Sequence, residues 1–267
     1  MKIKDFLARH PVFRQEEFEV FLKSRGSISK RTKESVLRYY TQTGRLQRIH
    51  RGLYLTVPVG FTSKAISVDT FLITAKLTED AVLAYHTALE LHGKAYSTFG
   101  QFYYFSTHVV RPVQFQENRF MRVSFPAALR TERQRHFSVI QIERSGQKVY
   151  VASLERTLVD VLDRPDLGGG WEEVWRSLES VEFFNIDQII EYALLLNNAT
   201  TIAKVGFYLE SHRETLSVTE DHLARLRKRK PESPHYLVRK NKDSRFISTW
   251  NILVPEEILK KSWQEVA

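Results

Sequence analysis

Residues 14–57, RQEEFEVFLKSRGSISKRTKESVLRYYTQTGRLQRIHRGLYLTV, decide how this chain is read. Phe18, Phe21 and Leu22 recur at i, i+3, i+4, which predicts an amphipathic helix over Gln15 to Arg25. Gly26 can end that helix in the left-handed conformation that a residue without Cβ adopts at little cost. Ser29 stands at an N-cap position, and Lys30 to Thr43 reads as a second helix with Val36, Leu37 and Tyr40 inward. Lys30, Arg31, Lys33, Ser35 and Arg38 are expected on its outer face. Beyond Gly44, Leu46 to Val57 reads as two short strands around an Arg51-Gly52 turn. Helix, glycine turn, basic helix and basic hairpin, in that order, are the parts of a winged helix-turn-helix. Its second helix is sized for a DNA major groove and its hairpin is placed to press on the backbone beside it.

Charge is concentrated in the same region. Residues 1–57 hold thirteen Lys/Arg and five acids, a net of +8, whereas the 267-residue chain carries +9 in all. The remainder is left with 27 bases against 26 acids. A positive excess gathered into one fifth of a sequence is the electrostatic footprint of a polyanion-binding module. On that footing Ser29, Lys30, Arg31, Thr32, Lys33, Ser35 and Arg38 are expected to face the major groove. Arg45, Arg48, His50 and Arg51 are expected to meet the backbone from the wing.

Around this stretch the composition is globular, with 42% hydrophobic residues including 17 Phe and 11 Tyr. The length suits one large domain or two ordinary ones. The absence of cysteine excludes disulfide staples, thiolate metal sites and cysteine nucleophiles, and is compatible with a reducing cytosol. The first ten residues intersperse charge with apolar side chains and do not read as a secretory signal. No window approaches the roughly 20 apolar residues of a membrane span. The expectation is a soluble, cytoplasmic protein that does not engage a membrane.

Residues 2–10 are predicted as a first helix with Ile3, Phe6 and Leu7 on one side, stopped by Pro11. Pro58-Val-Gly60 reads as a joint, giving a winged domain over 1–60 and a larger domain over 61–267. Ser67 or Asp69 caps a helix to Leu77 with Phe71, Leu72 and Ala75 inward, and Ala81–Leu91 reads as a second apolar helix. Segments 102–106, 120–125, 139–142 and 148–152 have strand composition, the last two joined at Ser145-Gly146. From Ser153 the pattern is helical: 153–162, 171–178, 186–196, 201–212 and 219–230, then a strand over 248–255 and a short terminal helix. The fold class expected is therefore α+β. The winged helix-turn-helix precedes a larger mixed domain, sheet-rich over 61–152 with a small antiparallel sheet and helix-rich over 153–267.

The residues form no recognisable catalytic constellation. His86 and His92 are six apart, on different faces of a helix, and His86 reads as a helix-start or packing residue. Asp160, Asp163 and Asp166 read as a solvated helix end. Glu143 has no partner acids for a nuclease site, and Gly168-Gly-Gly170 lacks the Lys-Ser/Thr of a phosphate loop. No catalytic residue, metal site or cofactor is predicted. The basic run Arg225-Leu-Arg-Lys-Arg-Lys230 has three open readings: a second polyanion contact, a solvated helix end, or docking against the acidic 155–191 region, which carries a net of −7.

Three stretches resemble the AbiEi-type antitoxins of the type IV abortive-infection toxin–antitoxin systems. Leu46-Gln-Arg-Ile-His-Arg-Gly-Leu-Tyr-Leu55 resembles their wing, and Ala84-Tyr-His-Thr-Ala-Leu-Glu-Leu-His-Gly93 resembles the helix after their linker. VASLERTLVDVLDRPDLGGG (residues 151–170) is similar to their capped helix ending in Arg-Pro and glycines. The resemblance covers residues from about 10 to 200, with the Trp250–Pro255 ending besides. It implies a transcriptional autorepressor binding an inverted-repeat operator in double-stranded DNA, which also counters a nucleotidyltransferase-like toxin. Residue patterns alone leave two alternatives. One is a nucleic-acid-processing enzyme anchored by the winged domain; the other is a protein-binding scaffold with incidental DNA affinity.

Overall fold

The computed structural model describes residues 2–26, 29–61, 68–238 and 243–261. Two units form within it, one from residues 1–83, 100–122 and 141–150, the other from 84–99, 123–140 and 151–267. The first unit holds the winged segment together with parts of the sheet-rich middle, and the rest of that middle groups with the helices that follow. The fold is α+β.

The first unit begins with the winged order: α1 (Ile3–Arg9), β1 (Val12–Arg14), α2 (Gln15–Lys23), α3 (Lys30–Gln42), β2 (Leu46–His50) and β3 (Leu53–Thr56). The three strands form an antiparallel sheet in the order β1-β3-β2. Strand β1 is too short to show alternation and exists because Val12, Phe13 and Arg14 pair with Leu55, Tyr54 and Leu53. Phe6, Phe13, Phe18, Phe21, Leu22, Leu37 and Leu46 bury a common core. Phe6 is its hub, with ring centroids 5.3, 5.3 and 4.7 Å from Phe13, Phe18 and Phe21. Each such ring stabilises the segment by about 1.5–3 kcal/mol through burial. The hairpin turn needs Gly52, whose φ is +77°. The Gly52 carbonyl accepts the Gln15 N–H at 2.7 Å, which fastens the turn to the start of α2.

Next comes α4 (Thr70–Lys76), capped by Asp69, which accepts the Leu72 N–H at 3.1 Å. Ser67, the other cap candidate, lies outside the described residues. The helix buries Leu72, Ile73 and Thr74 rather than Phe71, Leu72 and Ala75. Strands β4 (Val82–Leu83), β5 (Gln101–Phe105), β6 (Val113–Phe115), β7 (Asn118–Val123), β8 (Val139–Arg144) and β9 (Gln147–Ala152) form a six-stranded sheet, ordered β6-β7-β5-β4-β9-β8. The helix expected over Ala81–Leu91 ends as expected but begins only at His86, since Val82 and Leu83 pair with Phe105 and Tyr104. A short apolar run has no periodicity to separate helix from buried strand, and the partner strand decides. At the β8–β9 turn, Ser145 and Gly146 both have positive φ, the signature of a tight hairpin.

The second unit holds α5 (His86–Leu91), α6 (Glu132–Arg135), α7 (Leu154–Asp163), α8 (Trp171–Glu179), α9 (Ile186–Leu196), α10 (Ala199–Ser211) and α11 (Glu220–Arg227). It ends with β10 (His235–Tyr236), β11 (Ser244–Ile247), β12 (Ile252–Pro255) and α12 (Glu256–Lys260). These strands form a second small sheet, β10-β12-β11, that residue patterns do not foretell. The strand expected over 248–255 is confined to 252–255, because 248–251 turn to bring the chain back against β11.

In that turn Trp250 is fully buried and its Nε1 donates to Glu210 Oε2 at 2.7 Å. The ring lies on Gly206 of α10, where an added Cβ would sit 2.2 Å from Trp250 Cζ3 and 2.3 Å from Cη2. Gly206→Ala therefore forces the indole off its hydrogen bond or the helix off its neighbours, at about 3 kcal/mol. All four tryptophans lie after residue 170. Urea denaturation followed by tryptophan emission is expected to show the lowered midpoint; an unchanged midpoint would mean the ring can move freely.

Helix α7 departs most from expectation. Ser153 caps it as predicted, accepting the Arg156 N–H at 3.3 Å. Asp160, expected at a solvated end, is buried instead. It accepts from Tyr192 Oη at 2.8 Å and lies 3.4 Å from Arg156 Nε. Burial pushes the Asp160 carboxyl up to about 6, against the opposing pull of Arg156 and the Tyr192 hydrogen bond.

Candidate nucleic-acid interface

Helix α3 has two opposed faces. At about 100° per residue, positions 33, 36, 37 and 40 share one side, and 31, 35, 38 and 42 lie within about 60° of arc on the other. Leu37 is buried, with Val36 and Tyr40 packed against the winged core. Arg31, Ser35, Arg38 and Gln42 are exposed, together with Thr32 and Tyr39. Arg31 and Arg38 have no ion-pair partner among the described residues, so their guanidinium groups are available to an outside acceptor. Gln42 escapes a reading based on charge alone; its spacing of seven from Ser35 and eleven from Arg31 is the signal that finds it.

Lys33 is corrected. It is only 9% exposed and its Nζ meets Glu19 Oε2 of α2 at 2.5 Å. Lys33 stands four before Leu37, so the helix turns it inward, where α2 supplies a carboxylate. Hydrogen bonds from Lys33 and then Lys23 hold the Glu19 carboxyl down to about 2. The ion pair braces α2 against α3, the two helices of the helix-turn-helix. Ser29 is exposed, but its hydroxyl caps the helix, accepting the Thr32 N–H at 3.2 Å and lying 2.9 Å from the Thr32 hydroxyl. The Lys30 side chain lies outside the described residues.

The hairpin residues also separate. Arg48 is exposed and its Nε donates to the His50 carbonyl at 3.3 Å, across the irregularity in the β2–β3 register. Arg45 is half-buried, with Nε donating to the Val57 carbonyl at 3.2 Å, which closes the hairpin base. His50 and Arg51 are exposed and line a cleft of about 430 Å³ with Arg14, Lys76, Thr78 and His108. The turn is held at α2 by the Gly52 contact, so these two side chains flank the start of that helix.

The other basic run is largely engaged within the second unit. Arg225 meets Asp187 at 2.6 Å, Arg227 pairs with Glu210 and Glu220, and Lys230 donates to the Ser248 and Thr249 carbonyls at 3.0 and 2.8 Å. Arg225 thereby docks on the acidic region, one of the three open readings. Arg239, Lys240 and Lys242, farther along the basic C-terminal stretch, lie outside the described residues. His86 begins α5 and is buried, with Nε2 3.1 Å from Glu173 Oε1 and Nδ1 3.0 Å from Glu90 Oε1. Its ring packs on Phe99 at 4.6 Å, so it is the packing residue that its position implies. Among the described residues no three His, Asp or Glu lie close enough to hold a metal ion. No helix among them is long and apolar enough to cross a membrane.

No protein-family model matches the sequence, and no curated protein matches it. The crystal structure of the RV2827C protein from Mycobacterium tuberculosis superposes with a TM-score of 0.61 at 17% sequence identity. The likeness spans 98% of this chain and 93% of that one. At this identity it shows a shared fold.

Proposed function

We propose that the chain is a sequence-specific double-stranded DNA-binding regulator that represses its own promoter and serves as the antitoxin of a type IV toxin–antitoxin pair. The observation that carries the DNA reading is the α3 face. Arg31 and Arg38 stand exposed, with no ion-pair partner among the described residues, on the second helix of a helix-turn-helix, in the segment that holds nearly all the net charge. On this reading α3 enters the major groove, where a guanidinium can donate two parallel hydrogen bonds to guanine O6 and N7. Arg48 of the hairpin contacts phosphate, which positions the helix without reading sequence. His50 and Arg51 meet the backbone where α2 begins.

Binding of the duplex upstream of the chain's own gene is the test, compared with a random duplex over a salt series. Specific affinity at least about 10³-fold above the random duplex is expected. Arg48→Ala is expected to weaken both duplexes alike and to flatten the slope of log affinity against log salt by roughly one unit. Equal affinity for both duplexes in the parent chain would reject the regulator reading.

The antitoxin part rests on the resemblance of residues 46–55, 84–93 and 151–170 to the AbiEi-type proteins. Its partner is a nucleotidyltransferase-like toxin encoded beside it. Co-expression of the chain with that neighbouring reading frame is expected to restore growth; continued arrest would remove the antitoxin role while leaving the DNA reading intact.

A further inference from the structure

A second site stands in the other unit and does not depend on DNA binding. Between the end of α7, the start of α8, α10 and β10 there is a cleft of about 480 Å³, within the size range of small-molecule sites. Its wall includes Trp171, Pro165 and Tyr236, and its polar groups are Lys204, Asp163 and Asp166. Such a cleft, apolar with a few polar groups, is the usual form of a site for a small organic ligand.

Lys204 is the informative member. It is only 8% exposed, yet among the described residues its Nζ reaches a single acceptor, the Asp163 carbonyl, at 3.5 Å. An ammonium has three N–H groups, and a buried cation with so little satisfaction is costly unless something else accepts from it. Burial lowers the Lys204 pKa, with Asp163 and Asp166 opposing. The Asp163 carboxylate already accepts from Thr201 and Asn198. Asp166 is exposed at the rim, 3.7 Å from Arg164. One donor at the floor and one carboxylate at the rim, beside aromatic rings, match a ring whose edge carries an acceptor next to paired donors.

We propose that this cleft binds a guanine nucleoside, since its only cation among the described residues meets the base and its two carboxylates disfavour a phosphate. Guanine O6 accepts from Lys204 Nζ, its N1–H and N2–H donate to the Asp166 carboxylate, and the purine plane lies against Trp171 and Tyr236. Adenine offers an amino group where O6 stands, so it presents a donor to Lys204 and is rejected.

The test titrates the full chain with guanosine and with adenosine, following tryptophan emission and heat of binding. Saturable guanosine binding is expected, at least about tenfold tighter than adenosine. Lys204→Met is expected to weaken guanosine about tenfold or more, the scale of a lost charged hydrogen bond. Asp166→Asn, at an exposed position, is expected to narrow the guanosine-to-adenosine ratio and decides the matter if Lys204→Met fails to fold. Arg31→Ala is expected to leave guanosine binding unchanged, which keeps this site separate from the DNA reading. No saturable binding, equal affinity for the two nucleosides, or guanosine binding untouched by either cleft substitution would overturn the proposal.

Discussion

Replacing Arg31 and Arg38 together by alanine is expected to lower affinity for the specific duplex by about 10²–10⁴-fold, with little change on random DNA. Each guanidinium that reads a base edge is worth about 1–3 kcal/mol, and the two stand seven residues apart, two turns along one face of α3. At that separation they meet different base pairs, and their effects add to a first approximation. The preferred sequence should change as well, since the lost contacts are to bases. Lys33→Met is the control. Lys33 is on the opposite face and paired with Glu19, so its removal is expected to lower the stability of the winged segment while the duplex preference survives in the folded fraction. If Lys33→Met abolishes specificity and the Arg31/Arg38 double variant does not, the assignment of helix faces is reversed.

Arg156→Ala is expected to destabilise the second unit by about 3–5 kcal/mol, the scale for removing one partner of a buried ion pair. Arg156 is fully buried in α7, and its Nη1 donates to the Arg135 and Phe137 carbonyls at 2.6 and 2.8 Å. Its loss releases the α6 end of the chain from α7 and leaves the Asp160 carboxylate uncompensated. The effect depends on pH with a definite sign. The Asp160 pKa is raised in the folded state, to about 6 from an ordinary 3.8, so folding favours the protonated acid. Its contribution to stability is full below pH 3.8 and is lost as pH rises to 6. Arg156 lowers that pKa, so in Arg156→Ala the window extends upward. Urea midpoints from tryptophan emission should therefore show a larger deficit at pH 8 than at pH 5. Asp160→Asn added to Arg156→Ala is expected to recover part of the loss at pH 8, because the amide still accepts from Tyr192 without a buried charge. A pH-independent deficit would mean that the carbonyl contacts, not the ion pair, dominate.

Both predictions rest on features of unequal legibility in the chain. Helix α3 is legible in the residues themselves: Ser29 caps it, Leu37 fixes its inner side, and the positive excess of residues 1–57 is a matter of counting. The caps Asp69 and Ser153 are readable in the same way, because a cap is a hydrogen bond to a backbone N–H three residues on. The outer stripe of α3 is nearly legible. Lys33 falls on it only when charge is weighed above phase, although its distance of four from Leu37 already sends it inward. Asp160 offers no such clue, since a carboxylate at a helix end is ordinarily wetted and only α9, by supplying Tyr192, makes it a buried acceptor.

What sequence alone determined is whatever depends on neighbours within about four residues: the helix-turn-helix order, the caps, the Gly52 and Ser145-Gly146 turns, and the segregation of charge into residues 1–57. Only the tertiary structure decided that Val82 and Leu83 are strand and not helix, that β10, β11 and β12 make a sheet, and that Gly206 must stay bare beneath Trp250. It also turned Lys33 toward Glu19 and brought Lys204, Trp171 and Tyr236 around one cleft. The physical reason is range. Helical phase and capping act within a turn of chain, whereas strand pairing, burial and the pairing of charges depend on groups tens of residues away, and their energies override local preference wherever the two disagree.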